Sequence, residues 1–422
     1  MKKVIAILAV SAIVTTAAFA QASVAGTVET RFSVLRGNLS ADDVSLQMGG
    51  IPGGGGSGAI GAAWLQLSGT NPDGTLGGLF RLRNTDIVRP DGGGGSGPWF
   101  HRVFAWWRPI DQMRIWLGVD QDGLFDTAHF AGWGFHQGDN DYMFNHHWDF
   151  WRRIFPGNWD SFGMALSFAN FGVDGLAINL ILPTGQRNWP QATNPGVTRS
   201  ISVEQMLAGF RLHSTFAVPG AGTLQFTYNA PGGIMNIDGL NTHQPEWGGE
   251  GALEPNNFGQ LGLSFLLTAL DFGNILFGGA FIIPNTDFHD PDLHLGLALD
   301  IPAATLGDIM GLRFRVGAHV LNRSLTNDDG LLSANLMPIF ALGPGSLMLD
   351  LGMTMGLPDG DFVAENHLGW SVKPVYRLPL AQGAFSIGLH LYSGLARGGH
   401  QADLVASNDV HIHIPMLLRF TF

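Results

Sequence analysis

The chain has 422 residues, no cysteine and a formal net charge of −12, from 34 acidic and 22 basic residues. The lack of cysteine excludes disulfides, thiolate metal sites and a lipid-anchored cysteine. The acidic balance argues against nucleic acid as a partner, because neutralising phosphates requires basic clusters. Only 13% of the residues are charged, against a usual share of about 25%, as expected if one face of every element meets lipid.

The first twenty residues have the pattern of a secretory signal peptide. A short basic start precedes an apolar run over residues 4–17, and a small-x-small cleavage site follows at 18–20. The sequence therefore predicts an exported protein whose mature chain begins at Gln21.

From residue 21 onward, alternating apolar and polar segments recur between clusters of Gly, Pro, Asn and Asp. No segment after the leader approaches the roughly 18 to 20 apolar residues of a membrane helix, whereas barrel strands need only about 9 to 11. We therefore predict one all-β domain over 21–422, a transmembrane, antiparallel, up-and-down β-barrel of about 16 to 18 strands. The predicted strands lie near residues 23–36, 59–69, 75–85, 100–108, 112–120, 160–170, 173–183, 206–217, 222–230, 257–269, 272–283, 291–301, 311–322, 331–342, 345–357, 366–378, 383–395 and 409–422.

Many predicted strands carry charge on one face only. Successive side chains of a strand point to opposite faces, so Glu29 opposes Val28, and Arg313 opposes Leu312 and Phe314. Within a membrane such charges mark a water-filled lumen, and barrels of this size leave a channel. We predict that the following residues line the pore: Glu29, Arg31, Arg81, Arg83, Arg114, Asp120, Arg211, Arg313, Arg315 and His319.

Residues 53–58 and 92–97 have the same sequence, Gly-Gly-Gly-Gly-Ser-Gly. They are either inserted linkers or natural glycine-rich loops, and neither interpretation gives them a chemical role.

One long irregular insertion, residues 121–160, is dense in His, Trp, Phe and Asp. Loops of this length in a compact protein are usually functional, and we predict that this one folds into the barrel and narrows it. The predicted constriction residues are His129, His136, Asp139, Asp141, His146, His147, Asp149, Arg152 and Arg153.

Metal binding by this insertion is the weaker interpretation. Its residue types suit a transition metal, but their spacing matches no zinc signature, and loop histidines beside aromatic residues more often pack and donate hydrogen bonds. The segment 120–126 resembles the start of a calcium loop but lacks the later ligands. We therefore predict no metal and no cofactor.

The last twelve residues alternate in the manner of a closing barrel strand. One face is apolar through Ile412, Ile414 and Met416 and ends on the aromatic Phe422. The other face carries polar residues such as His413. A strand with one apolar and one polar face, ending on Phe, is what a transmembrane barrel needs at its seam.

Three stretches resemble porin-like outer-membrane proteins of spirochaetes, the treponemes especially. They are 104–111 (FAWWRPID), 135–141 (FHQGDND) and 145–151 (NHHWDFW), and the resemblance is strongest between 99 and 160. It implies a barrel in the outer membrane and carries over no binding residue. The chain end departs from the usual assembly signal, because Leu417, beside Pro415, stands where that signal favours Gly.

The leading function is an outer-membrane porin for passive diffusion of small polar solutes, with outer-membrane lipid and the outer-membrane assembly machinery as partners and a homotrimer as one arrangement. The alternatives are a selective transporter of hydrophobic or aromatic ligands, which 12 Trp and 29 Phe would suit, and a surface adhesin. An enzyme has the least support, because no short motif sets a nucleophile beside a base. The solute, the pore width and the ion preference stay open.

Overall fold

The computed structural model describes residues 21–41, 43–49, 61–84, 99–120, 161–170, 172–183, 210–229, 258–284, 292–319, 330–357, 368–393 and 409–422. Most of them form β-strands. Within these ranges no helix has the length and apolar character needed to cross a membrane. The predicted leader, 1–20, and the insertion, 121–160, lie outside the described residues.

Twenty strand segments and one short 3-10 helix, Ala303–Leu306, make up the described structure. The strands are β1 (Gln21–Asn38), β2 (Asp43–Gly49), β3 (Gly61–Thr70), β4 (Leu76–Asn84), β5 (Trp99–Ile110), β6 (Met113–Asp120), β7 (Ser161–Ala169), β8 (Leu176–Pro183), β9 (Arg211–Val218), β10 (Gly222–Asn229), β11 (Phe258–Leu270), β12 (Gly273–Pro284), β13 (Asp292–Ile301), β14 (Met310–His319), β15 (Gly330–Leu342), β16 (Gly345–Leu357), β17 (Leu368–Leu380), β18 (Gly383–Gly388), β19 (His390–Ser393) and β20 (Val410–Thr421).

All strand pairs are antiparallel, and the first strand pairs with the last. β2 and β3 lie one after the other along β1, and β18 and β19 share one place between β17 and β20. The twenty segments therefore fill 18 positions. Pairing of β1 with β20 closes the sheet, which confirms the prediction of an antiparallel barrel of about 16 to 18 strands.

The two faces of this cylinder differ in exposure and chemistry. In β20 the residues at odd positions from His411 to Leu417 are buried, and those between them are partly exposed. The pairing register carries this alternation around the sheet and defines an inner wall and an outer face. The outer face bears large exposed apolar side chains, among them Val24, Leu65, Val103, Leu117, Leu263, Phe277, Leu297, Leu336, Met353, Val372 and Ile387.

One strand departs from the sequence-based prediction. The pattern predicts no strand between residues 36 and 59, and this is wrong, because β2 pairs with the second half of β1. A register shift between Ser33 and Leu35 adds one residue to β1 opposite β20. Because of this bulge Leu35 pairs with Ile414 and lies on the outer face, so a strict period of two fails there.

The two ends of the barrel have connections of different length. At one end, hereafter the short-turn end, strands are joined by turns such as 111–112, 271–272 and 343–344. The C-terminal Phe422 lies at this end, where its N–H donates to Gly26 O at 3.0 Å. At the other end β1 and β2 are joined by the short segment 39–42, and other strands precede longer segments that lie outside the described residues.

Side-chain contacts add to the backbone hydrogen bonds at the seam between β1 and β20. Arg419 donates from Nε to Glu29 Oε2 at 2.7 Å, and its Nη2 lies 2.6 Å from the same oxygen, on the inner wall. On the outer face the ring of Phe422 covers Gly26, where a Cβ would overlap the ring. The glycine therefore provides the space in which the terminal aromatic packs.

We expect Gly26→Ala to lower the free energy of unfolding by about 1 to 3 kcal/mol, the usual cost of overpacking. The added methyl would displace the Phe422 ring from the seam. Urea titration of the refolded barrel, followed by tryptophan fluorescence, measures this. Gly311→Ala is the matched control, since its Cβ would meet its nearest atom at an ordinary 3.4 Å. Equal losses in the two variants would contradict the assignment.

Candidate functional site

The inner wall is the candidate site, because it is where the barrel concentrates its polar and charged side chains. Buried polar residues fall on this wall on both sides of the seam and across the sheet. They include Thr27, Glu29, Asn179, His213, Gln225, Ser264, Arg315, Asn335, Asp350, Ser371, Lys373, Ser386, His390, His411 and His413.

Six of the ten residues predicted to line the pore have described side chains, and all six lie on the inner wall. Glu29 lies beside the seam and Arg315 is buried, with 4% of its surface exposed. The other four are Arg81, Arg114, Arg211 and Arg313. Arg31, Arg83, Asp120 and His319 occupy inner positions of the register, but their side chains lie outside the described residues.

Several of these charges are neutralised within the wall itself. Glu29 accepts from Arg419 of the adjacent strand, and Arg313 Nε lies 3.2 Å from Asp300 Oδ1. In both pairs the partner stands directly across the ladder. Cross-strand pairing therefore satisfies charges that the sequence pattern places on the inner face without their partners.

A fully buried charge cluster on β15, β16 and β17 was not among the predicted residues. Lys373 Nζ lies 3.9 Å from Asp350 Oδ2, and Asn335 Nδ2 donates to Asp350 Oδ1 at 2.8 Å. Lys373 and Asp350 have no solvent exposure. The signal in the sequence is that Lys373 is the single lysine after the leader, but its partner is not adjacent in sequence and appears only through the strand pairing.

Histidines form a second set of polar contacts on the wall. His213 bridges two strands, with Nε2 2.7 Å from Gln225 Nε2 and Nδ1 3.2 Å from Asn179 Nδ2. Near the seam, His390 and His413 meet edge to face, with ring centroids 5.6 Å apart. The contacts of His213 orient its ring and the two amides, and the edge-to-face contact orients His390 against His413.

An apolar cluster interrupts the polar wall between β15 and β20. Met337, Met348, Val375 and Leu417 pack together with at most 2% of their surface exposed, and Ile339 packs against them. Leu417 thus lies on the otherwise polar face of the closing strand. Because the cluster is buried, it offers no apolar surface to a solute, and its role is packing.

A group of arginines and aromatic rings lines the wall from β3 to β6. Arg81 donates from Nε and Nη2 to Gln66 Oε1, at 2.9 and 2.6 Å, and its guanidinium carbon lies 4.7 Å from the centre of the Trp64 ring. On β6 the guanidinium carbon of Arg114 lies 4.3 Å from the Trp106 centroid and 5.1 Å from that of Trp116. Contact with the indole rings holds these cations against the wall.

The predicted constriction residues are all outside the described part of the chain. These are His129, His136, Asp139, Asp141, His146, His147, Asp149, Arg152 and Arg153. Within the described ranges, no group of three or more His, Cys, Asp or Glu side chains is placed to hold a metal ion.

The site and fold together define an antiparallel barrel with a polar inner wall and an apolar outer face. No protein-family model matches the chain, and no curated protein matches it. Solved structures do resemble it over nearly their whole length. OccAB4 of Acinetobacter baumannii has a TM-score of 0.52 at 9% identity, with 96% of this chain and 98% of that chain covered.

Two further solved structures are similar. The anion-selective porin from Comamonas acidovorans has a TM-score of 0.47 at 12% identity, covering 95% of this chain and 100% of that chain. The Salmonella typhi OmpF complex with daunomycin has a TM-score of 0.46 at 10% identity, covering 94% and 97%. At such identities the likeness concerns the fold.

Removal of one partner of the buried ion pair gives the clearest test of the wall's energetics. We expect Lys373→Met to lower the free energy of unfolding by about 3 to 5 kcal/mol, because it removes the lysine charge that lies beside the buried Asp350 carboxylate. Urea titration again measures this. The double variant Lys373→Met/Asp350→Asn, which removes both charges, should recover part of the loss. A loss below about 1 kcal/mol, typical of exposed pairs, would contradict the assignment.

Proposed function

We propose that this protein is an outer-membrane porin that forms a water-filled channel for passive diffusion of small polar solutes. The observation that supports it is that the closed 18-strand barrel has an apolar outer face and a polar, charged inner wall. Apolar side chains facing outward suit hydrocarbon, and charged side chains facing inward require water or a partner.

The size of the barrel also supports a channel. Barrels of about eight strands fill their interior with side chains, whereas those of about 16 to 18 leave an aqueous passage. The wall from β3 to β6 carries partly exposed arginines beside its aromatic rings. The proposed pore-lining residues are Glu29, Arg31, Arg81, Arg83, Arg114, Asp120, Arg211, Arg313, Arg315 and His319.

The unequal ends support an orientation. Outer-membrane barrels have short periplasmic turns and longer outer loops, so the short-turn end, where Phe422 lies, would face the periplasm. Residues 1–20 would be the leader that exports the chain, and the assembly machinery would insert it. The same proposal includes three further features. They are a relation to the spirochaete proteins that the sequence resembles, a homotrimeric arrangement, and a constriction formed by 121–160.

The test is reconstitution of the purified protein in a planar bilayer. We expect stepwise increases of conductance, because each inserted barrel opens one continuous aqueous path. Protein that is boiled in detergent before addition is the control and should give no steps. The absence of steps from protein that shows the heat-dependent gel shift of an intact barrel would refute the pore.

Charge reversal on the wall tests the lining. We expect Arg81→Glu to shift the reversal potential in a salt gradient toward cation preference, because a fixed charge acts on passing ions within a screening length of about 8 to 10 Å. Arg81→Gln should shift it less, since it removes one unit of charge rather than reversing it. Leu65→Ala, on the outer face of the neighbouring strand, is the control. An unchanged reversal potential in Arg81→Glu would remove Arg81 from the lining.

A further inference from the structure

Two arginines lie at the short-turn end of the inner wall, on the neighbouring strands β5 and β6. Arg108 is partly buried and lies at the register shift that follows Trp107, and Arg114 holds the inner position that precedes Trp116. Neither forms an ion pair with a described carboxylate, unlike three other cations of this wall. Like charges on neighbouring strands of one sheet face repel each other. A counter-ion near the two arginines would offset this repulsion.

The guanidinium of Arg114 is held in place by a stack of three layers. A Cβ on Gly77 would overlap the Trp106 ring, so this ring lies directly on the β4 backbone. Arg114 stacks on that ring and also lies beside Trp116, whose Nε1 donates to Ser167 Oγ at 2.8 Å. The cation occupies the indole faces and leaves its N–H edge for a ligand.

Arg108 adds a second guanidinium, which lies beside the turn between β3 and β4. Gly74 has φ 67°, and a Cβ there would come to 3.4 Å from Arg108 Nη2. The buried Arg108 Nε has no hydrogen-bond partner among the described residues. The nearby turn carboxylate of Asp73 accepts from the Thr75 hydroxyl at 3.1 Å, and Asp111 in the β5–β6 turn is exposed; neither pairs with the arginines.

We propose that Arg108 and Arg114 form a binding subsite for a compact tetrahedral dianion of the phosphate class. Two guanidinium groups on neighbouring strands supply two positive charges and several directed donors, which match the charge and the oxygens of such an ion. Because Arg114 already covers the indole faces, the subsite selects the oxyanion group rather than an aromatic ring. The subsite rests on the proposed pore in that it names a class of solute for it.

Binding is tested apart from conduction, by calorimetric titration of the intact protein in detergent micelles with inorganic phosphate. Chloride keeps the ionic strength constant and serves as the competing monovalent anion. We expect saturable binding by the unchanged chain. Arg108→Gln and Arg114→Gln should each weaken it by about tenfold or more, since each removes charged hydrogen bonds. Arg114→Lys, which keeps the charge but loses the planar fork, should weaken it less.

Arg377→Gln is the matched control, because Arg377 is another inner-wall arginine near the short-turn end, on β17. Phosphate affinity should be unchanged in it. No saturable binding by the unchanged chain, or equal weakening by Arg377→Gln, would overturn the subsite. The gel shift verifies folding of each variant, and two separate arginines keep the test decisive if one variant fails to fold. Missing phosphate binding with normal conductance steps rejects the subsite alone, and binding without conductance rejects the pore alone.

Discussion

The backbone hydrogen bonds that join β1 to β20 are the constraint on which the rest of this structure depends. An open sheet of this size would leave two edges of unpaired N–H and C=O groups, which hydrocarbon cannot satisfy. Pairing from Thr27 with Thr421 to Asn38 with His411 removes both edges. Once the sheet is closed, each side chain faces either the surroundings or the interior, and the period of two assigns it to one of them.

Closure of the sheet also determines which charged side chains of the interior pair with one another. Residues far apart in sequence become neighbours across the ladder, and Glu29 meets Arg419 while Asp350 meets Lys373. Each such pair balances one positive and one negative charge within the wall. The wall from β3 to β6 differs, because there arginines stack on tryptophans and Arg108 and Arg114 lack a described counter-charge. This local imbalance is why we regard that part of the wall as the place where a solute would be held.

Alternation along the chain predicted much of this fold. The eighteen predicted strand positions correspond to those of the barrel, because each strand has an apolar outer face that a local pattern reveals. The segment 43–49 was missed, since Gly-rich sequence after it and a bulge at Ser33 blur the period. A simple pattern also misplaces Leu417, since it assigns apolar residues to the outer face. Leu417 lies on the inner wall, where it packs with Met337, Met348 and Val375.

The sequence by itself determined which side chains share a face, because that depends only on the geometry of one strand. It therefore placed Arg81, Arg114 and Arg313 on one side together with the other predicted wall residues. The tertiary structure alone decided which of them meet, since contacts across the ladder depend on register, bulges and closure. Lys373 and Asp350 are 23 positions apart in the chain, and Glu29 and Arg419 are 390 apart. A local sequence pattern cannot predict these contacts, because only strand pairing brings the residues together.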